Sequence, residues 1–351
     1  MHILVTGAAG FIGAAVSQRL LDEGHTVAGV DSFVPYYNLA LKEARWNALA
    51  KRAGFTGLQL DLSQPMSIAE MVKAGPYDAV MHLAAQAGVR YARDEPLHYI
   101  DANVKSTTLI FEMVRRHFPQ AKVAYASSSS VYGRNTKQPF HEEDPVNSPA
   151  SHYAATKRSC ELIADTYTHL YDLNLVGLRF FTVYGPAGRP DMAVWMFSQS
   201  ILAGKPITMY KLPDGGDLKR DFTYIDDIVG GIMAVLGLPG EPRHRVYNLG
   251  NSTPVAVPDM IALLETALGR KAIIETVTAG GDEVPATYAD VSRAAEELGY
   301  APRVSLVEGL SRWAHWFLSE GKYYGPLGTM ARVEDEPEEA LEGAAVVSDA
   351  A

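Results

Sequence analysis

The chain has 351 residues, 47% of them apolar and 21% charged, and a formal net charge of −10. This is the composition of an ordinary globular protein, large enough for one large domain or two smaller ones. No apolar run reaches bilayer length, and the negative balance argues against a general nucleic-acid or anionic-membrane surface. Cys160 is the only cysteine, so no intrachain disulfide can form and a cytoplasmic protein is expected. The thiol reads as a small filler on a helix rather than a nucleophile or ligand.

In chain order, Ile3 to Thr6 is a short β-rich run so close to the first residue that no signal peptide is expected. Gly7-Ala-Ala-Gly10-Phe-Ile-Gly13 follows it and opens a helical pattern ending near Glu23-Gly24. Strand, glycine turn and helix N-terminus together predict an anion site, because free N–H groups and the helix dipole point at a bound pyrophosphate. The next strand, Thr26 to Val30, ends in Asp31. A carboxylate there accepts from an adenosine ribose diol and repels a 2′-phosphate, favouring NAD over NADP; the structural alternative is a turn residue.

The β/α alternation continues. Leu58 to Leu62 reads as a third strand whose terminal Asp61 can meet the adenine amino group, and Asp78 to Leu83 as a fourth, running into the small residues Ala84-Ala85-Gln86-Ala87-Gly88. His82 precedes that strand's end and reads as a packed residue. Lys122 to Ala126 is a strand, Asn103 to Arg116 a helix, and Leu175 to Phe180 a further strand. The pattern predicts an α/β, doubly wound Rossmann sheet, parallel and covered by helices on both faces. After Arg179 to Pro186 the regularity breaks into Gly- and Pro-rich segments with short helices such as Ala193 to Leu202 and Asp259 to Leu268. These suggest a smaller mixed α/β C-terminal substrate domain. The expected division is 1–179 for the dinucleotide domain, with segments near 223–250 returning to it, and mainly 180–328 for the substrate domain. Residues 329–351 read as an acidic, mobile tail.

Chemistry gathers between Ser127 and Lys157. The hydroxyl run Ser127-Ser128-Ser129-Ser130 falls at a strand's carboxyl end, where open α/β sheets bind ligands. Tyr153 and Lys157 lie four apart on a helix predicted from His152 to about Tyr171, so both project from one face. An ammonium and a cationic nicotinamide nearby would stabilise the phenolate, letting Tyr153 take a proton from a substrate hydroxyl while the cofactor takes hydride from the same carbon. Taken alone, Tyr-x-x-x-Lys is common helix-surface chemistry; the dinucleotide turn upstream gives it meaning. Arg189 and Arg220 can each pair with a diphosphate or a carboxylate, or form surface ion pairs. No metal-ligand spacing occurs.

Gly7-Ala-Ala-Gly-Phe-Ile-Gly13, His82-Leu-Ala-Ala85, Ser128 and the Tyr153/Lys157 pair resemble the extended short-chain dehydrogenase/reductases. Within that group, Asp31-Ser-Phe-Val-Pro-Tyr-Tyr-Asn38, Gln86-Ala-Gly-Val-Arg-Tyr91, Ser127 to Gly133, Arg179 to Pro186, Gly188-Arg-Pro-Asp-Met192 and Arg220 to Asp227 resemble the UDP-glucuronate 4-epimerases, over residues 1 to about 328. The resemblance implies epimerisation at C4 through a transient 4-keto sugar, without decarboxylation, on a tightly held NAD regenerated each turnover. It implies Tyr153 as acid/base, Lys157 as the ribose-binding residue that tunes it, and Ser128 as hydroxyl partner. NAD contacts are implied for Gly7, Gly10, Phe11, Ile12, Gly13, Asp31, Ser32, Asp61, Leu62, Leu83, Ala84, Ala85, Asn103, Ala126, Tyr153, Lys157 and Phe180. Substrate contacts are implied for Arg90, Ser128, Ser129, Ser130, Tyr153, Thr182, Arg189 and Arg220.

Related dehydratases carry an acidic pair at the positions of Ser129 and Ser130, related decarboxylases a Glu at Ser130, and UDP-glucose 4-epimerases typically an Asn at Thr182. Two stretches depart from the family pattern, Lys211 to Lys219 and Gly280 to Val284, and both are expected near the nucleotide. The alternatives are a 4-epimerase of UDP-glucose or UDP-N-acetylglucosamine, or a non-catalytic NAD-binding interaction protein. A homodimer is expected through the Asn103 and Tyr153 helices.

Overall fold

The computed structural model describes residues 1–324 except 90, 242 and 281–283. The expected tail from 329 and the Gly281-Asp282-Glu283 part of one departing stretch lie outside the described residues. Strands run β1 His2–Thr6, β2 Thr26–Asp31, β3 Phe55–Gln59, β4 Ala79–His82, β5 Lys122–Ser128, β6 Leu175–Phe180 and β7 Thr182–Tyr184. They continue as β8 Pro206–Lys211, β9 Lys219–Tyr224, β10 His244–Leu249, β11 Pro254–Ala256, β12 Ile273–Thr278 and β13 Ala286–Thr287.

Seven of these form one sheet in the order β10-β6-β5-β4-β1-β2-β3, with every neighbouring pair parallel. The expected doubly wound architecture is borne out. The order reverses between β1 and β4, which makes that crevice the topological switch point. Ile3, Leu4 and Val5 of β1 are fully buried, as a central strand covered on both faces requires; this is why the run is apolar without alternation. The chain leaves the sheet after β6 and returns to it as β10. In between, β7 and β9 build a second small sheet with β11 and β13, and β8 pairs with β12 in a third. The departing stretch at 211–219 is the connection from β8 to β9, drawn together where Lys211 Nζ meets Asp217 at 2.5 Å.

Two boundaries differ from expectation. The third strand is Phe55–Gln59, not Leu58 to Leu62, because its partner β2 ends at Asp31, opposite Gln59. Asp61 therefore stands beyond the strand, exposed, in a turn where its carboxylate accepts from Ser63 N–H at 2.9 Å. The helix expected from Asn103 begins as a π-helical turn, Ile100–Lys105, and becomes α-helical over Ser106–His117. The helix His152–Tyr171 has the predicted bounds: Ser151 caps its N-terminus by accepting from Ala154 N–H at 3.1 Å, and Asp172 ends it in the left-handed region.

Candidate active site

The glycine turn shows why it contains glycines. Gly7 adopts φ +71°, and a Cβ there would lie 2.8 Å from Ala84 N; a Cβ on Gly13 would lie 2.0 Å from Gly7 O. The turn thus permits backbone contact with the β4 loop on one side and its own helix on the other. The helix Phe11–Asp22 starts at Gly10 with no side-chain cap, so its first N–H groups and positive dipole end are available to an anion. At the end of β2, buried Asp31 accepts from Ala9 N–H (3.1 Å) and Phe33 N–H (2.9 Å) and faces Lys42 at 3.3 Å. This set fits a dinucleotide: small residues where a diphosphate must approach, donors aimed at it, and a carboxylate at the neighbouring strand end. Ser32 is exposed just past Asp31, while Phe11 and Leu62 are buried.

Across the switch point, the β4 loop is pinned from beneath. Asn103, fully buried in the π-helical turn, accepts from Gln86 N–H (2.8 Å) and donates to Gln86 O (3.1 Å) and Thr156 Oγ1 (3.0 Å). Its side chain thereby ties the Gln86 backbone, just past Leu83–Ala85, to the Tyr153 helix. His82 is buried between Thr6 Oγ1 (2.8 Å) and Thr107 Oγ1 (3.0 Å). Burial, aided by the Lys157 charge, pushes its imidazole down to about 3; it is a neutral packed residue, as expected. Cys160 is buried against Asn103 O and Thr107, and burial pushes its thiol up.

Lys157 is buried and donates to Ala126 O of β5 at 2.9 Å. That bond locks the helix in register with the strand. Tyr153 is one turn earlier on the same helix, about 6 Å from Lys157 along its axis, and β5 runs on two residues past Ala126. There Ser128 ends the strand and accepts from Ser130 N–H at 3.2 Å, starting the 3-10 turn Ser129–Tyr132 that leaves Ser129 and Ser130 partly exposed. The Tyr153 ring packs edge-on against buried Tyr99 at 6.1 Å, and Tyr99 donates to the carbonyls of Ala87 and Gly88. Phe180 ends β6, and Thr182 opens β7 two residues on, partly exposed.

The structure separates the two candidate arginines. Arg189 forks onto Asp191, which also accepts from Tyr36 OH at 3.0 Å, and its guanidinium lies 5.8 Å from the Tyr36 ring. Rings continue from Tyr36 through Tyr91 and Tyr99 to Tyr153 at centroid spacings of 5.3, 6.1 and 6.1 Å, which joins Arg189 to the tyrosine. Arg220 instead donates to Lys219 O and to Val284 O beside β13. Arg90 lies outside the described residues.

Sequence reading passed over two groups. Arg45, on the helix Leu39–Ala50, reaches Ala9 O in the glycine turn and the carbonyls of Ala187 and Gly188 before Arg189. Glu161, one turn past Lys157, is buried with Arg179 (2.8 and 2.9 Å) and Ser127 (2.7 Å). Burial acts to raise its carboxyl, but the bonds from Arg179, Ser127 and Arg158 outweigh that and leave it below the usual carboxylate range. The only available signal was polarity at positions that helical periodicity buries.

A parallel doubly wound sheet, a glycine turn at its switch point and a Tyr-x-x-x-Lys helix locked to β5 define a dinucleotide-dependent protein of the short-chain dehydrogenase/reductase type. The chain belongs to the NAD dependent epimerase/dehydratase family, whose pattern matches residues 3–250. It is 46% identical over 337 residues to UDP-glucuronate 4-epimerase 1 of Arabidopsis thaliana, covering 93% of this chain and 78% of that one. Among solved structures, the UDP-glucuronic acid 4-epimerase of Bacillus cereus in complex with UDP-glucuronic acid and NAD has a TM-score of 0.83 and 34% identity, covering 91% of this chain and 99% of that one. A UDP-glucose 4-epimerase of Thermotoga maritima with UDP-glucose is more distant in sequence, at 26% identity and TM-score 0.80 over 91% and 99% of the two chains.

Proposed function

We propose that the protein is an NAD-dependent UDP-glucuronate 4-epimerase, converting UDP-glucuronate to UDP-galacturonate through a 4-keto sugar. The observation that supports the chemistry is the Lys157 Nζ to Ala126 O bond, which anchors the helix carrying Tyr153 to the strand that ends in Ser128. The substrate is named by the relatives, at higher identity for the uronate enzymes than for the UDP-glucose enzyme. When bound, NAD supplies a hydride acceptor and donor for C4.

The chain's own residues handle the proton. Tyr153 Oη takes it from the sugar 4-hydroxyl and returns it after the keto sugar has turned its other face; general acid–base catalysis of this kind contributes roughly 10²–10⁴-fold. Lys157 supports the phenolate by its charge and, through its strand bond, by position. Ser128 holds the 4-oxygen. The glycine turn, Asp31, Ser32, Asp61 and Leu62 hold the adenosine diphosphate half, and Leu83 to Ala85, Ala126 and Phe180 surround the nicotinamide half. In this reading Asn103 acts by fixing the Gln86 backbone.

A 4-keto hexuronic acid is a β-keto acid and loses carbon dioxide when its C5–carboxyl bond aligns with the ketone π system. Hydroxyls of Ser128, Ser129, Ser130 and Thr182 hold the carboxylate out of that alignment, with Arg189 or Arg90 supplying charge. No carboxylic acid stands at 129 or 130 to promote elimination. Residues 1–179 with β10 carry the dinucleotide, and the later segments carry the sugar nucleotide. The lone cysteine supports a cytoplasmic setting. A homodimer forms through the Ile100–His117 and His152–Tyr171 segments.

The test is to incubate purified protein with UDP-glucuronate, adding no NAD, and follow products by proton NMR. UDP-galacturonate is expected. UDP-xylose or a 4-keto-pentose would place the protein on the decarboxylating branch, and turnover of UDP-glucose alone would overturn the substrate.

A further inference from the structure

Arg45 is 7% exposed, and its five hydrogen bonds go to three carbonyls and a phenol: Ala9 O (3.1 Å), Ala187 O (3.1 and 2.5 Å), Gly188 O (3.1 Å) and Tyr37 OH (2.8 Å). Among the described residues none goes to a carboxylate. A buried guanidinium without a counter-charge is unfavourable unless an anion is supplied. Ala9, whose carbonyl it holds, lies in the turn built to receive an anion, and Asp31, the carboxylate that accepts from Ala9 N–H, is already paired with Lys42 at 3.3 Å. On its other side the fork holds Ala187 in the left-handed region at φ +54°, a conformation that a residue with a Cβ keeps only when its surroundings impose it. The turn is closed by Gly188 N–H to Gly185 O at 3.0 Å, and Met192 N–H then bonds Arg189 O at 3.2 Å.

We propose that Arg45 is a positioning residue that makes loading of the dinucleotide and placement of Arg189 one event. With a diphosphate on the glycine turn, the Arg45 charge is balanced across Ala9. Its fork then fixes Ala187, and with it the direction in which Arg189 leaves the turn toward Asp191 and Tyr36. Without the diphosphate the same charge is buried unbalanced, and the 185–192 segment loosens. By linkage, whatever orders that segment also tightens the cofactor. The inference rests on the dinucleotide reading of the turn, and it is independent of which sugar is the substrate.

Hydrogen exchange of the Gly188 and Met192 amides, bonded to Gly185 O and Arg189 O, tests this in the native chain, stripped of NAD and reloaded. Loading is expected to slow exchange there about tenfold or more, the equivalent of one charge-assisted hydrogen bond. Arg45→Lys keeps the charge but loses the fork; it should release NAD about tenfold faster than the native protein and lose the loading-dependent protection. A merely structural arginine would lower protection equally with and without NAD. The proposal is overturned if loading leaves native exchange at Gly188 and Met192 unchanged, or if Arg45→Lys keeps both the native release rate and the protection. Should that variant fail to fold, the native measurement decides alone. Failure of UDP-glucuronate turnover would leave these readouts intact.

Discussion

Tyr153 is positioned from three directions: by Lys157 on Ala126, by Thr156 through Asn103, and by the Tyr99 ring. Tyr153→Phe removes only the proton carrier, so turnover should fall about 10²–10⁴-fold while the purified protein still carries NAD, checked by product NMR and by nucleotide content after denaturation. Loss of NAD together with activity would make the phenol a cofactor anchor instead. Thr182→Val should raise the share of decarboxylated product from UDP-glucuronate, and an unchanged ratio would remove Thr182 from the carboxylate pocket. His82 carries the pH prediction. Its folded value of about 3 lies below the ordinary imidazole value of about 6.5, so between the two the unfolded chain binds a proton that the folded chain does not. Stability is therefore complete above that window and drains as pH falls through it, by up to about 1.4 kcal/mol per unit. Urea denaturation at pH 7 and pH 5 should show a larger loss for the native protein than for His82→Asn; equal losses would mean that the imidazole is not held neutral.

The glycine turn, the π-helical turn and the 185–189 turn each use backbone geometry to place a functional group. Gly13 is the sharpest case, because a methyl group there would lie 2.0 Å from Gly7 O. Gly13→Ala must push the turn open, and NAD affinity measured by calorimetry should weaken about tenfold or more, the scale of an overpacked contact. Native affinity would show that the turn has slack. Strand and helix bounds were legible where one pattern dominated: Leu175–Phe180 is apolar except for Gly177 and Arg179, and the His152–Tyr171 helix has Ser151 ahead of it. The third strand was misread because Leu58, Leu60 and Leu62 alternate past the point where β2 stops offering partners at Asp31. Alternation marks a half-buried strand, but the neighbour's length decides its end.

For the whole molecule, the outward face of the Tyr153 helix presents Leu162 and Leu170, each more than half exposed, and the adjoining segment presents Leu97 and Ile100. Covering these side chains is the gain expected from a dimer across the two helix pairs. Light scattering should report twice the chain mass for the native protein, and Leu162→Glu with Leu170→Glu should halve it. A monomeric native protein would refute the dimer. The buried Glu161–Arg179 pair ties the same helix to β6.

The sequence by itself determined the local and periodic features: the glycine turn, Asp31 at a strand end, the serine run, the Tyr153/Lys157 spacing and the α/β alternation that calls for a parallel sheet. These depend on neighbours a few residues apart, or on a repeat that any window displays. Only the tertiary structure decided which distant groups meet. Arg45 reads as one more charge on an amphipathic helix until the fold sets it between Ala9 and Ala187, 36 and 142 residues away. Arg189 and Arg220 look alike in the sequence, yet one is drawn to Asp191 and Tyr36 and the other to Val284. Long-range pairing follows from the order of the strands and the path between them, and no local pattern of residues encodes that path.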